Sequence, residues 1–297
     1  MRTFYIDEHQ HKGHPYKQAL LSAGYRFTKD DPDVVLVDRE WCAAGARMNS
    51  VIMVYPHTAI TPWWYDGIHK IGPQVRCVFV VGRGQQAALA EFAPHAYSEV
   101  TGWPWCEQKP FAKVDNPINV LFGSIHPPAR FPLSKAKLEA NTDIHNELDL
   151  LVKAGKRKAT VRYIKSLGKN GIIRSKHISY IQGGYDGSTK EIDQADVVIG
   201  EGMFMYLAVA RGKPTIGVNQ HISQQYSESE IPLKWERYGP SMAYPINYEK
   251  GRLDELIQLA ASGEQSEWRE RFIGESMDPK RFVEIVERVW RESKGVG

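Results

Sequence analysis

The sequence predicts an α/β protein built from two doubly wound halves. Short apolar runs of strand length alternate with helix-like segments along most of the 297 residues, which is typical of parallel strands buried on both faces. The alternation stops once, at residues 103–117, where three prolines interrupt any periodic pattern, and then starts again. A chain of this length also exceeds the usual size of one domain. We therefore expect two domains of similar size joined by a linker.

The first half alternates strands with helices. Strands are expected at residues 3–7, 34–37, 50–55, 75–81 and 97–101. Helical patterns occupy residues 15–23, where Pro15 suits a first turn and Gly24 an end, and residues 84–92. Strands that alternate with helices form right-handed crossovers and therefore an open, mostly parallel sheet.

The second half repeats this rhythm without repeating the sequence. Strands are expected at residues 118–124, 160–164, 178–182, 197–199 and 215–218. Helices are expected at residues 133–154, 190–195, 203–211, 253–261 and 281–292. The last of these places apolar residues at near-helical spacing, so it should present one apolar face to a core.

Composition indicates a soluble protein of the cytoplasm. No apolar run approaches the roughly 18 to 20 residues that cross a bilayer, and the N-terminus has no signal-peptide core. The three cysteines, Cys42, Cys77 and Cys106, are far apart in the sequence. This spacing favours reduced thiols over a disulfide framework or a zinc site.

One stretch is strongly basic although the net charge is only +3. Residues 150–185 contain no Asp or Glu and nine Lys or Arg. Such a run forms either a solvated basic face or a surface that meets a polyanion or phosphates. Both interpretations remain open at the level of the sequence.

The bend Gly200-Glu201-Gly202 is the first candidate site. It lies between a predicted strand and a predicted helix, and ligands of doubly wound sheets bind where helix N-termini meet the carboxyl ends of strands. Glycines there would let the backbone approach a phosphate, and Glu201 could accept hydrogen bonds from ribose hydroxyls. Alternatively, glycine is needed only for a turn with positive φ.

Several stretches resemble GT-B-type glycosyltransferases and their relatives, the nucleotide-sugar 2-epimerases and the CDP-glycerol glycerophosphotransferases. NVLFGSIHP at residues 119–127 resembles the first strand and phosphate-side loop of their donor domain, and TVRYI at 160–164 resembles its second strand. EVTGWPW at 99–105 is similar to the segment that ends their N-terminal domain. Their donor-side signature is matched by Ala195-Asp196, Gly202, Ala208 or Ala210, and Gly212-Lys213-Pro214.

This resemblance implies two Rossmann-like, doubly wound domains that face a central cleft, a GT-B-like fold. The acceptor-side domain would span residues 1–103, the linker 104–117 and the donor domain 118–280. A C-terminal helix at 281–297 would pack back on the first domain. The implied donor is a nucleotide-diphosphate sugar, with a UDP-sugar as the first expectation, used without a metal or another cofactor. The residues expected around it are Gly123, Ser124, Arg162, Gly183, Gly184, Tyr185, Glu201, Gly202 and Met203.

The catalytic candidates lie in the first half. His57 follows a predicted strand, so its ring should project towards the cleft, and an imidazole with a pKa near ~6.5 can take a proton from an acceptor hydroxyl. Asp66 is the alternative base. Asp7 and His14 follow the first strand, and His14 resembles the histidine of a loop that meets the acceptor or the donor sugar in related transferases. Three aromatic residues could stack against an acceptor or fill the core: Trp63, Trp64 and Tyr65.

Two patterns that suggest metal binding carry little weight. Asp31-Pro32-Asp33 resembles an Asp-x-Asp metal motif, but it precedes its strand and is typical of a turn. His9, His11 and His14 have no carboxylate partner at a defined spacing. We therefore expect no metal site.

The sequence thus favours a glycosyltransferase that acts on an acceptor hydroxyl. The basic stretch makes a hydroxymethylated base in DNA one candidate acceptor, which would be taken out of the base stack; a small molecule or a glycan precursor is the other. The alternatives are a nucleotide-sugar 2-epimerase, a CDP-glycerol-type glycerophosphotransferase, and a protein that binds nucleotide or nucleic acid without catalysis. Oligomeric state is not predicted.

Overall fold

The structure is a computed structural model. It describes residues 2–6, 14–37, 50–54, 75–80, 86, 89–90, 94–105, 107–124, 134–163, 175–182, 189–200, 202–218 and 246–296. The chain divides into two compact units. Unit 1 contains the described residues up to 105 and from 272 onwards, and unit 2 contains those from 107 to 271.

Strands and helices alternate through both units. The strands are β1 (Thr3–Ile6), β2 (Arg26–Phe27), β3 (Val34–Val37), β4 (Val51–Val54), β5 (Val75–Val80), β6 (Ser98–Val100), β7 (Asn119–Ser124), β8 (Lys158–Tyr163), β9 (Ser179–Gln182), β10 (Val197–Gly200) and β11 (Thr215–Gly217). The helices are α1 (His14–Ser22), α2 (Ser134–Lys153), α3 (Thr189–Gln194), α4 (Gly202–Ala210), α5 (Leu253–Ser262), α6 (Ser266–Ser276) and α7 (Pro279–Lys294).

Unit 1 is built on a six-stranded sheet in the order β2-β1-β3-β4-β5-β6. Every neighbouring pair is parallel, and β3 is buried along its whole length. The order is that of a flavodoxin-like doubly wound sheet with one strand added, in which the direction of winding changes between β1 and β3.

Four aromatic rings join α1, α7 and the sheet in the core of unit 1. The Tyr16 ring on α1 lies 5.2 Å from the Phe282 ring on α7 and 5.6 Å from Trp103. Phe282 lies 5.5 Å from Phe79 on β5. All four side chains are fully buried. The last helix of the chain therefore completes the core around the first strands.

Unit 2 is built on a five-stranded parallel sheet in the order β11-β10-β7-β8-β9. With its strands numbered from β7, this is the 3-2-1-4-5 order of the dinucleotide-binding fold. The chain leaves β7 towards one edge of the sheet and later returns to lay β10 on the other side of β7. The switch point of unit 2 therefore lies between β7 and β10.

Helices α2 and α5 cover one face of the unit 2 sheet. Phe122 on β7 belongs to one apolar cluster with Ile144 on α2 and Ile257 on α5. The Glu147 carboxylate on α2 accepts a hydrogen bond from the Leu253 amide at 3.1 Å, which fixes the start of α5. Right-handed crossovers place α3 and α4 on the opposite face, because the connections that contain them run the other way across the sheet.

The predicted α/β class with parallel sheets is confirmed. Two elements were not predicted, β2 and α6. Within the helix predicted at 84–92, the structure describes Gln86, Leu89 and Ala90, which are helical. The turn predicted at 31–33 is confirmed: Asp31 has φ +48°, and the Asp33 carboxylate accepts hydrogen bonds from Thr3 at 2.8 and 2.9 Å. None of the helices in the described ranges combines the length and apolar character of a bilayer span.

Candidate functional site

The candidate site lies at the carboxyl ends of β7 and β10. Ile199 on β10 pairs with Phe122 on β7, so Gly200, the last residue of β10, lies beside Gly123, the penultimate residue of β7. Ligands of open parallel sheets bind outside the carboxyl ends of the strands at a switch point. Gly123 and Ser124, two residues predicted to bind the sugar donor, therefore lie where ligands bind in sheets of this topology.

Helix α4 begins at Gly202, two residues after β10 ends. Its first N–H groups have no partner within the helix and carry a partial positive charge. Gly202 and Met203 are its first two residues, and Glu201 lies outside the described residues. The side chains from Phe204 to Ala210 are all buried, so α4 is held firmly on all sides. A buried helix that starts beside two strand ends can bind an anion.

The glycines at the switch point make room for Phe204. A Cβ built on Gly123 would lie less than 3.0 Å from the Phe204 ring, and one built on Gly200 would lie 2.9 Å from it. Neither glycine has φ in the left-handed region, so the positive-φ interpretation does not apply to them. Both are required for the close approach of one aromatic ring, a constraint that the spacing of glycines in the sequence did not reveal.

Arg162 lies near the carboxyl end of β8, opposite Gly123 in the register with β7. Its guanidinium is 3.1 Å from the Glu191 carboxylate in the first turn of α3, and the two side chains are 7% and 20% exposed. A buried arginine is held by such a partner because an unpaired buried charge is costly. Its predicted contact with a diphosphate stays a prediction. The sequence did not indicate Glu191, because the pair forms only when the crossover through α3 brings the two residues together.

Part of the donor-side signature, Ala195-Asp196 and Gly212-Lys213-Pro214, lies at the opposite, amino ends of the strands, whereas Gly202 begins α4. The Asp196 carboxylate, which precedes β10, accepts hydrogen bonds from the Ile118 and Asn119 amides at 2.8 and 2.7 Å. Lys213 donates to the carbonyl oxygens of Asp193 and Ala195 at 2.7 and 2.8 Å. These contacts tie the amino ends of the strands to the end of α3. This part of the signature builds the fold on which the site rests.

Asp193 adds an ion pair at this amino edge. Arg211 donates two hydrogen bonds to its carboxylate, and Lys109 lies 3.1 Å away. The Arg211 hydrogen bonds lower the pKa of Asp193 to about 2. Burial lowers the pKa of Lys213. The amino edge is therefore a connected network of structural charges.

Several cations of the basic stretch are paired with acids that lie outside the stretch. Lys153 lies 2.6 Å from Asp149. Lys156 and Arg157 lie 3.1 and 2.7 Å from Asp254. Together with Arg162, four of the six cations that the structure describes in this stretch are thus paired. Lys165, Lys169 and Arg174 lie outside the described residues. In the described part of this stretch, most of the positive charges therefore have an acidic partner nearby, and both interpretations of the stretch stay predictions.

Most acceptor-side candidates lie outside the described residues. These acceptor-side candidates are Asp7, His57, Trp63, Trp64, Tyr65 and Asp66. Three residues predicted to bind the donor also lie outside the described residues: Gly183, Gly184 and Tyr185. His14 begins α1. Their predicted roles remain predictions. Across the described ranges, no group of three or more His, Cys, Asp or Glu side chains could hold a metal ion.

Sequence comparison does not place the chain in a family, since no family model and no curated protein sequence matches it. Solved structures do resemble it. The pneumococcal O-GlcNAc transferase GtfA, in complex with UDP and GlcNAc, has a TM-score of 0.50 and 14% identity, covering 87% of this chain. The match covers only 56% of GtfA, so this chain corresponds to little more than half of that protein.

Two other structures match along their whole length. The glycosyltransferase SnogD from Streptomyces nogalater has a TM-score of 0.53 and 12% identity, covering 97% of this chain and 99% of SnogD. Sucrose-phosphate synthase from Thermosynechococcus elongatus has a TM-score of 0.54 and 11% identity, covering 99% of both chains. At these identities the likeness concerns the fold. The chain has the two-unit α/β fold of the GT-B glycosyltransferases.

Proposed function

We propose that this protein is a glycosyltransferase that moves a sugar from a nucleotide-diphosphate sugar to an acceptor hydroxyl. The observation that carries the proposal is the switch point of unit 2, where α4 begins beside the carboxyl ends of β7 and β10. In a sheet of this order, such a point favours the phosphates of a nucleotide. The GT-B fold makes a sugar nucleotide the first candidate among phosphate ligands.

The proposed nucleotide is UDP. Support for this choice comes from GtfA, which is described in complex with UDP and GlcNAc. In this chain the diphosphate would lie against the amides of Gly202 and Met203, with Gly123 and Ser124 at the neighbouring strand end. Gly183, Gly184 and Tyr185 follow β9 in the sequence and are proposed to flank the base. Glu201 would accept hydrogen bonds from the ribose.

The proposed reaction is a substitution at the anomeric carbon of the sugar. The acceptor oxygen forms a bond to that carbon, the bond from the carbon to the diphosphate oxygen breaks, and the nucleoside diphosphate leaves with the electron pair. The first helical amides would stabilise the charge that develops on the leaving group. His57 or Asp66 would take the proton of the acceptor hydroxyl. Asp7, His14, Trp63, Trp64 and Tyr65 are proposed to position the acceptor.

Two classes of acceptor are proposed, DNA and a small molecule or glycan precursor. A hydroxymethylated base in DNA was suggested by the basic stretch, and the pairing of Lys153, Lys156 and Arg157 with acids weakens that support. A small molecule or a glycan precursor fits equally well. A cytoplasmic location also belongs to the proposal and depends on the cysteine pattern of the sequence.

The test is a nucleotide-release assay combined with direct binding. UDP-, GDP-, ADP- and dTDP-sugars are supplied with hydroxymethylated duplex DNA, with unmodified duplex DNA, and with no acceptor. A matched pair of variants probes the site: Gly202→Asp adds a negative charge to the first turn of α4, and Gly202→Asn adds a neutral side chain of the same size. Asp is favourable in a first turn, so the helix should form in both variants. We expect Gly202→Asp to weaken nucleotide binding by about tenfold relative to Gly202→Asn.

Each outcome has a distinct meaning. Release that depends on hydroxymethylated DNA identifies the acceptor as DNA. A C2-epimerised product without acceptor indicates an epimerase, and CMP from CDP-glycerol indicates a glycerophosphotransferase. Tight binding without turnover over long incubation indicates a binding protein. Equal affinities of the Asp and Asn variants, or no binding of any nucleotide by the unmodified protein, would contradict a phosphate site at α4.

A further inference from the structure

Phe204 lies where the two central strands of unit 2 and the first turn of α4 meet. It is the third residue of α4 and 1% exposed. Gly123 and Gly200 are neighbours near the carboxyl ends of β7 and β10, and the Phe204 ring occupies the space that a Cβ on either glycine would need. The backbone itself would accept a Cβ on Gly200, which would be 3.6 Å from the Gly123 carbonyl oxygen, an ordinary van der Waals contact, so the Phe204 ring is the group that excludes it.

This arrangement links the distance between the Phe204 ring and the strands to the position of α4. The ring cannot approach the strands so closely unless both residues are glycine, and a longer distance would move the first turn of α4 away from the sheet edge. Protein interiors are packed densely enough for a change of one methyl group to shift their neighbours. The amides of Gly202 and Met203 therefore depend on the Phe204 contact for their position relative to the end of β7.

We propose that Phe204 is a positioning residue for the anion site at the start of α4. The proposal rests on the proposed function, since it assumes that these amides bind the diphosphate of the donor. Phe204 itself does not touch the ligand. Its ring sets the distance between the first turn of α4 and the carboxyl ends of β7 and β10, and Gly123 and Gly200 are the residues that permit that distance.

The experiment compares Phe204→Leu with Phe122→Leu. Phe122 is also 1% exposed, but it lies beside Gly123 on the other face of β7, in the cluster with α2 and α5. Both variants remove the same volume from unit 2, and only the first touches α4. We expect Phe204→Leu to raise the Kd for UDP about tenfold, the loss of one hydrogen bond to a charged group. Phe122→Leu should change it less than about twofold at a similar loss of Tm.

A second pair of variants tests the role of the glycines. Gly200→Ala should weaken UDP binding because its Cβ pushes the ring outwards. Adding Phe204→Leu to Gly200→Ala should restore part of the affinity, since the smaller side chain leaves space for the Cβ. If Phe204→Leu does not fold, Phe204→Met keeps more of the volume and takes its place.

Amide hydrogen exchange at residues 202–206, measured without nucleotide, separates this proposal from the proposed function. We expect faster exchange there in Phe204→Leu than in Phe122→Leu. Equal exchange, or equal UDP affinity in the two folded variants, would overturn the positioning role. Failure of the unmodified protein to bind UDP, together with the expected difference in exchange, would instead reject the ligand and keep the packing role.

Discussion

At the scale of single residues, two glycines end their helices in the same way and differ only in their surroundings. Gly155 follows α2 and Gly212 follows α4, with φ of +70° and +73°. Their amides donate to Val152 and Val209 at 3.0 Å, which is the hydrogen bond of a left-handed helix end. A Cβ on Gly155 would meet nothing within 4 Å, whereas one on Gly212 would lie less than 3.0 Å from the Pro110 carbonyl oxygen.

We therefore predict different costs for the same substitution at the two positions. Gly155→Ala should lower the free energy of unfolding by about 1–2 kcal/mol, the strain of a left-handed alanine. Gly212→Ala should lower it by roughly a further 1–3 kcal/mol, because the methyl group is forced into the Pro110 backbone. Urea unfolding of the two variants and the unmodified protein measures both values. Equal losses would show that residues 109–110 move aside without cost.

The glycines of the sequence motifs have structural roles of the same kind as Gly212. Gly102 in the segment at 99–105 has φ +52° and no space for a Cβ beside the Ser276 carbonyl oxygen. Gly212 and Lys213, from the donor-side signature, hold the amino edge of unit 2. The resemblance therefore predicted the fold correctly through residues that build it. It could not show that Gly123 and Gly200 are required by an aromatic ring, because that contact depends on how α4 packs.

At the scale of elements, most strands and helices were predictable from the sequence, but strand β2 and helix α6 were not. Buried strands appear in the sequence as apolar runs, but β2 has only two residues, of which Arg26 is exposed. In α6 the apolar pattern is broken by Arg269, which is 3% exposed. Its guanidinium donates to the carbonyl oxygens of Val209 and Lys109. Because a buried cation that binds backbone carbonyls occupies a core position of α6, the sequence of this helix shows no regular apolar face.

The contact between α2 and the edge strand β9 should depend on pH. The His145 ring on α2 is hydrogen bonded to the Tyr180 hydroxyl on β9. The two rings are also stacked, with their centres 5.8 Å apart. The Tyr180 hydroxyl also accepts a hydrogen bond from the Ser175 amide at 2.9 Å. Burial lowers the pKa of His145, and Asp149 on the same helix opposes the shift. The neutral imidazole is therefore the form that the folded protein favours.

We predict that acid weakens this contact below about pH 6.5, the pKa of an unfolded histidine. In that window the unfolded chain binds more protons than the folded one, so stability falls as the pH falls. Urea unfolding at pH 7.5 and pH 5.5 should show a larger loss for the unmodified protein than for His145→Gln, whose amide can still reach Tyr180 but does not titrate. A difference between the two pH values that is unchanged by His145→Gln would contradict the prediction.

At the scale of the whole molecule, the two ends of the chain belong to the same unit. Unit 1 includes β1 near the start of the sequence and α7 near its end. Arg2 forms an ion pair with Glu287 on α7 and lies 3.9 Å from the centre of the Trp290 ring. Tyr25, next to β2, hydrogen bonds to the same Glu287. Unit 1 therefore cannot complete its core until the last helix is present, whereas the core of unit 2 needs neither chain end.

We accordingly predict that a cavity made in one unit lowers the local stability of that unit more than that of the other. Phe282→Ala removes the ring that joins α7 to Tyr16 and Phe79, and should cost about 3–5 kcal/mol. Phe122→Ala is the matched change in unit 2, with the same exposure of at most 1%. Hydrogen exchange should rise in β1 and β5 for Phe282→Ala and in β7 and β8 for Phe122→Ala, because local stability follows local packing. If either variant accelerates exchange equally in both sheets, the two units unfold as one cooperative body, and any ligand that binds unit 2 would then stabilise unit 1 as well.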